Sequence, residues 1–199
     1  MGYLSTQHLP EDRDGFRFRG GSCVIDLCAT LRARLSPAPL ELLATPADLG
    51  RWLVSSGMVE APPEVTPDDL AAAKVLREAI YALASRKGGG KMKEARQTLN
   101  EIAAGAPAVP QFKGDGTAVL TGSGSALLVT LAREAVQLFG SDMGGLVRKC
   151  ESPVCGLYFV DTSRKGDRRW CSMSGCGNKA KVAEFRRRQR RSGKAGKRK

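Results

Sequence analysis

The chain has 199 residues, of which 42% are hydrophobic and 26% are charged, and its formal net charge is +12. This length accommodates one domain or two small ones and excludes a large catalytic barrel. Residues 148–199 contain 17 basic and 4 acidic side chains, whereas residues 1–147 contain 15 basic and 16 acidic ones. A cationic last quarter indicates a polyanionic partner, and nucleic acid is the commonest one.

Residues 1–15 contain three acidic side chains and no apolar run, so we predict a flexible lead-in without a secretory signal. No later segment reaches the roughly 18 consecutive apolar residues that a membrane helix needs. We therefore expect a cytoplasmic protein that makes no membrane contact.

Residues 16–147 predict a mainly helical domain. Thr45 and Thr66, each followed by proline and acidic residues, are typical helix starts, and further helices are expected over 91–104 and 125–139. The first of these helices should bury Leu49, Trp52 and Leu53. Short strands are predicted over 16–19 and as a hairpin of 109–112 with 117–121.

Four of the six cysteines follow the pattern C-x4-C, fifteen residues, C-x4-C: Cys150, Cys155, Cys171 and Cys176. Four thiolates complete the tetrahedral shell of one structural zinc ion. A cationic segment of about 50 residues buries too little apolar surface to offset its chain entropy, so a metal is expected. Two disulfides are the alternative, and the expected reducing compartment favours zinc.

Between the two pairs, a strand over 157–161, a turn over 162–166 and a return strand over 168–170 predict a β-hairpin. A helix is then predicted from near Cys176 to about Arg191, with Val182 and Phe185 facing inward. This order is typical of a treble-clef-like zinc finger. The predicted fold class is mainly α with short β-hairpins, a helical N-terminal domain preceding a four-cysteine finger.

The polar side chains of the finger are the candidate nucleic-acid contacts. They combine cations, which attract phosphate, with positions on an ordered frame where bases can be read. The predicted contacts are Arg164, Lys165, Arg168, Arg169, Asn178, Lys179, Lys181, Arg186, Arg187, Arg188, Arg190 and Arg191. Residues 192–199 are predicted to be a disordered basic tail that adds sequence-independent attraction.

Residues 150–187 resemble the CGNR zinc finger of bacterial proteins, above all in Asp161-Thr162-Ser163-Arg164, residues 168–173 and Cys176-Gly177-Asn178-Lys179. In those proteins the finger follows a mainly helical ABATE domain, whose motifs are similar to residues 16–21, 48–53 and 76–80. The resemblance implies a stress-linked transcriptional regulator whose finger binds DNA and to which no catalytic activity is attributed. Lys179 stands where the motif has arginine. Lysine keeps the positive charge of arginine but lacks its planar fork of donors.

The remaining candidate sites have simpler interpretations. Cys23 and Cys28 repeat the five-residue spacing, but helix geometry would separate them, so we predict two buried thiols. His8, the single histidine, lies in the polar lead-in and offers no base for catalysis. Gly122–Ser125 lacks the lysine of a phosphate-binding loop and predicts a helix N-cap.

We therefore expect four regions: a lead-in (1–15), a helical domain (16–147), a finger (148–191) and a tail (192–199). The predicted function is DNA binding by a zinc-dependent transcriptional regulator whose N-terminal domain senses or dimerises, with a small-molecule effector as a further candidate partner. No enzyme is expected. RNA binding and a protein-interaction adaptor built on structural zinc stay open as alternatives.

Overall fold

The computed structural model describes residues 10–86, 89–153 and 155–195, with side chains as far as Gln189. Within these ranges the chain forms helices and short strands in the following order: β1 (Asp12–Arg13), β2 (Phe16–Arg17), α1 (Cys23–Leu27), β3 (Leu31–Arg32), β4 (Leu40–Glu41), α2 (Pro46–Ser55), α3 (Pro67–Ser85), α4 (Gly90–Ala103), β5 (Val109–Phe112), β6 (Ala118–Thr121), α5 (Gly124–Gly140), β7 (Val147–Lys149), β8 (Tyr158–Val160) and α6 (Asn178–Ala195). The strands pair as four antiparallel hairpins, so the predicted fold class is confirmed.

The helix starts follow the predicted capping pattern. The hydroxyls of Thr45 and Thr66 accept the backbone N–H groups of Asp48 and Asp69, and each carboxylate accepts the N–H of its threonine in return. Each cap thus satisfies donors that the first turn leaves unpaired. The predicted helices α4 and α5 also form, within one or two residues of their expected bounds.

The main core lies where α3, α4 and α5 pack against one another. Their facing sides carry apolar residues three or four positions apart, which places them on one stripe of each helix. The buried members include Leu76, Ile80, Leu83, Leu99, Leu127, Leu131 and Ala135. The shorter α2 closes one side by burying Leu49, Trp52 and Leu53, as predicted. None of the described helices is long and apolar enough to cross a bilayer.

The predicted lead-in is partly wrong, because its last residues belong to a hairpin. β1 pairs with β2, and the N–H of Phe18 donates to the carbonyl of Glu11 at 2.7 Å. Phe16 and Phe18 are buried in the main core, and this burial anchors the hairpin. Residues 1–9, including His8, lie outside the described part of the chain.

The predicted hairpin of the finger also has a different partner strand. β8 pairs with β7, which precedes the first cysteine pair, rather than with residues 168–170. The reason is local: the carboxylate of Asp161 accepts the N–H groups of Ser163 and Arg168, at 3.1 and 2.9 Å, and closes a loop directly after β8. That loop directs the following residues away from the strand.

The β7–β8 hairpin packs into the main core. Val147, Tyr158 and Val160 belong to that core, and the rings of Tyr81 and Tyr158 meet edge to face with centroids 5.2 Å apart. The domain boundary predicted between residues 147 and 148 therefore falls inside a hairpin that the helical region helps to bury. The disordered tail predicted from residue 192 also begins too early, because α6 continues to Ala195.

Candidate metal centre and nucleic-acid interface

Four cysteine thiols meet at one point of the finger. The Sγ atoms of Cys150, Cys155, Cys171 and Cys176 all lie within 4.8 Å of one another. Cys171 Sγ is 3.7 Å from both Cys155 Sγ and Cys176 Sγ. Tetrahedral zinc–sulfur bonds of about 2.3 Å place neighbouring sulfurs roughly 3.8 Å apart. The cluster therefore has the dimensions of a four-thiolate shell around one metal ion.

Local hydrogen bonds hold each cysteine pair in place. In the first pair, the N–H of Cys150 donates to Leu157 and the N–H of Cys155 donates to Ser152, at 2.8 and 3.1 Å. In the second, the hydroxyl of Ser172 accepts the N–H of Gly175 and starts a π-helical turn over Met173–Gly177. This turn holds Cys176 and leads directly into α6, so the helix begins where it was predicted.

Thiols this close to one another cannot all ionise without a cation. Hydrogen bonds from Cys155 and Cys171 lower the pKa of Cys150, whereas donation to Cys150 raises the pKa of Cys155. The same interaction raises the pKa of Cys171. One thiolate is thus stabilised by thiol neighbours, and a bound divalent cation supplies the charge that four thiolates need.

Arg168 supports the finger from inside. Its Nε donates to the carbonyl of Trp170 at 2.8 Å, a second nitrogen donates to the carbonyl of Cys171, and its guanidinium lies 4.7 Å from the ring centroid of Phe159. These contacts use the planar fork to fix the backbone beside a cysteine of the cluster. Arg168 was predicted as a nucleic-acid contact, which stays a prediction, and its contacts in the structure lie within the finger.

The other predicted contacts whose side chains are described lie on exposed surface: Arg164, Lys165, Arg169, Asn178, Lys179, Lys181, Arg186, Arg187 and Arg188. The first two occupy the turn after β8, and those from Asn178 onward lie on α6. Arg190 and Arg191 also lie on α6, but their side chains are outside the described residues.

Two carboxylates hold part of this surface in order. Glu151 accepts Arg169 Nε at 2.6 Å, and Glu184 accepts Arg187 Nη2 and Arg188 Nε at 3.0 and 3.2 Å. These are exposed pairs, so each contributes little to stability. Their effect is to orient the guanidinium groups beside α6.

The prediction that Val182 and Phe185 face inward is wrong. Val182 is 40% exposed and Phe185 is 62% exposed. The small core of the finger is already closed by Phe159 and the cysteines, with Trp170 packed at its edge. α6 packs on the turn that precedes it and extends beyond that core, so its apolar positions remain open to solvent.

A second group of cations lies on one side of the metal centre, and two of its three members come from the helical region. A cleft of about 350 Å³ is lined by Arg17 of β2, Arg32 of β3 and Lys179 of α6, together with Cys155 and Cys176. Within the described residues, these three cations make no hydrogen bond or ion pair. Sequence reasoning missed Arg17 and Arg32, because only the fold brings β2 and β3 beside the finger.

The nearby carboxylates do not neutralise this cleft. Asp12 faces β2 across the first hairpin and accepts Arg19 Nη2 at 2.6 Å. Glu41, across the second hairpin, accepts two nitrogens of Arg77, each at 2.7 Å. Asp12 and Glu41 therefore form ion pairs with Arg19 and Arg77. Neither carboxylate pairs with the cations that line the cleft beside the thiols.

The remaining sequence candidates have the predicted structural roles. Burial raises the pKa of Cys23 and of Cys28 to about 12, and both thiols are enclosed in the main core. At the Gly122–Ser125 segment, Ser123 caps α5 and the N–H of Gly124 donates to the carbonyl of Glu64 at 3.0 Å. That loop is therefore an N-cap, as predicted.

Two family models match the chain in succession. The ABATE model, described as "Putative stress-induced transcription regulator", matches residues 21–142, and the CGNR zinc finger model matches residues 147–189. A search of curated proteins finds no match. The first match covers more than half of the chain, and the second contains the whole cysteine cluster. The chain therefore belongs to the ABATE family and carries a CGNR zinc finger after its helical region.

Proposed function

We propose that this protein is a zinc-dependent DNA-binding regulator of transcription. One zinc ion per chain binds Cys150, Cys155, Cys171 and Cys176, and the finger presents α6 to the phosphate backbone. The helical region acts as the regulatory part, through a sensing or dimerising role, and performs no catalysis. The two family matches and the charge distribution support this division of labour.

The observation that carries the proposal is the position of the thiol cluster at the base of α6. Cys176 lies two residues before the helix begins, so a metal bound there fixes the start of the helix. Residues 178–195 contain eight basic and one acidic side chain. A rigid cationic helix docks on phosphates with a defined orientation, which a free basic tail cannot do.

We propose no catalytic activity for the chain, and the chemistry of the described residues supports this proposal. Among its residues, the four cysteines form the single group of three or more side chains that could hold a metal ion. Four protein ligands leave no position for a catalytic water. The enzyme alternative also lacks a histidine within the described ranges.

The test measures binding of fluorescein-labelled duplex DNA by anisotropy, with the zinc-loaded full chain. We expect Cys171→Ser to abolish zinc retention and to weaken DNA binding by at least tenfold. Cys23→Ser is the matched control, because the Cys23 thiol donates to the carbonyl of Ser56 and a hydroxyl can do the same. Equal DNA affinity of both variants would contradict zinc-dependent binding, and preference for a structured RNA competitor would favour the RNA alternative.

A further inference from the structure

A groove beside α6 combines aromatic rings with cations. It has a volume of about 620 Å³, and Trp170 and Phe185 line it together with Arg169, Lys181 and Arg188. Glu184 is its one carboxylate and is held by the ion pair with Arg188. Even with Glu151, which pairs with Arg169 at 2.6 Å, included in the count, the groove carries net positive charge around two flat apolar side chains.

The geometry of α6 brings these groups to one face. Lys181, Phe185 and Arg188 are four and three residues apart, so they follow one another along the same side of the helix. Across the groove, the guanidinium of Arg169 lies 5.1 Å from the ring centroid of Trp170. Phe185 lies between Lys181 and Arg188 on this face and is 62% exposed. Its ring is therefore not part of a core and is available to a ligand.

We propose that this groove binds unpaired nucleobases, which stack on Trp170 and Phe185 while Lys181 and Arg169 contact the flanking phosphates. This inference rests on the proposed function and specifies the class of ligand, which is nucleic acid with unpaired bases. In a duplex the faces of the bases are covered by their neighbours, so a stacking ring gains contact only where bases are unstacked. The cations supply attraction that does not depend on sequence.

Charge complementarity favours this occupant over a second copy of the chain. A symmetric pair of grooves would bring two copies of α6 together, each with eight basic residues and one acidic residue. Like charges across an interface oppose association. A polyanion with flat apolar faces complements both properties of the groove.

The two tryptophans of the chain make the test direct. Trp52 is fully buried in the main core, whereas Trp170 lines the groove, so quenching of tryptophan fluorescence on binding reports on Trp170. We would titrate the zinc-loaded full chain with a twelve-nucleotide oligothymidylate and with a duplex of equal length. The wild-type protein should show saturable quenching by the single strand.

Phe185→Ala should weaken oligothymidylate binding by between about 5-fold and 100-fold, the effect of losing one stacked base. Phe112 is also an exposed phenylalanine, 86% exposed on β5, and it does not line the groove. Phe112→Ala is therefore the matched control and should bind as the wild type does. Circular dichroism and zinc content should be the same for all three proteins.

Equal affinity of Phe185→Ala and Phe112→Ala for the single strand would overturn the proposal. Binding of the duplex without binding of the single strand would also overturn it, and would leave the proposed DNA-binding function intact. Absence of binding to either nucleic acid at low salt would overturn both. Dissociation of a dimer by Phe185→Ala, seen by light scattering with unchanged oligothymidylate affinity, would assign the groove to a second copy instead.

Discussion

Val160 of β8 donates its backbone N–H to the carbonyl oxygen of Gly20 at 2.7 Å, and this bond ties the finger to the helical region. Gly21, with φ of +74°, lets the chain pass close to the same strand, where an added Cβ would lie 3.3 Å from the Val160 carbonyl. The two family modules thus share a core, and changes in the finger hairpin should alter the stability of the whole chain.

Tyr158 provides a direct measure of that coupling. Tyr158→Ala removes a buried ring that packs against Tyr81, so the free energy of unfolding should fall by about 3 kcal/mol. Tyr158→Phe keeps the ring contact and should cost much less. Urea unfolding followed by far-ultraviolet circular dichroism, which reports mainly on the helices, measures both. A helical transition of Tyr158→Ala at the same urea concentration as in the wild type would contradict the shared core.

Zinc content tests the stoichiometry of the metal centre. Elemental analysis of the purified chain should give one zinc ion, because the described residues hold one complete set of four thiols. Removal of the metal by a chelator should lower the thermal midpoint of the helical region as well as unfold the finger, since β7 and β8 belong to the main core. Two zinc ions per chain, or none, would refute the assignment.

Arg17 and Arg32 should slow the loss of zinc. Four thiolates around Zn²⁺ carry a net charge of about −2, and the cations lining the neighbouring cleft stabilise that charge. We expect Arg17→Gln combined with Arg32→Gln to speed zinc transfer to a chromogenic chelator several-fold. Arg96→Gln, on α4, is the control for removing an exposed arginine elsewhere. Identical transfer rates in both variants would show that the cleft has no influence on the metal.

Asp26 should make stability depend on pH. Burial raises the pKa of Asp26 to about 7, against about 3.9 in an unfolded chain. The folded state therefore keeps a proton that the unfolded state loses, and the contribution of this group to stability falls as pH rises towards 7, by up to about 1.4 kcal/mol per unit.

The pH effect is isolated by Asp26→Asn, whose amide oxygen can still accept the N–H of Gly20. Urea midpoints between pH 5.5 and 7.5 should favour the variant over the wild type increasingly as pH rises towards 7. A difference between the two proteins that is constant across this range would contradict the raised pKa.

Local signals in the sequence predicted local structure well. The caps at Thr45 and Thr66 and the spacing of the cysteine pairs depend on residues within a few positions of one another. The pairing of β7 with β8 was not predicted, because strand propensity at 157–161 and 168–170 does not reveal that Asp161 closes a loop between them and that β7 takes the partner position. The period of α6 identified an apolar face containing Phe185, but the period alone does not reveal whether another element covers that face.

The salt dependence of DNA binding by the zinc-loaded chain measures how many phosphates the cations of α6 contact. If α6 and the residues beyond it neutralise about 5 to 8 phosphates, the logarithm of the association constant should fall with the logarithm of salt concentration with a slope of about −4 to −7. Replacing Arg186, Arg187 and Arg188 by glutamine should flatten that slope by up to about three units. Absence of binding at low salt, or a slope near zero, would show that the cations of α6 do not bind DNA phosphates.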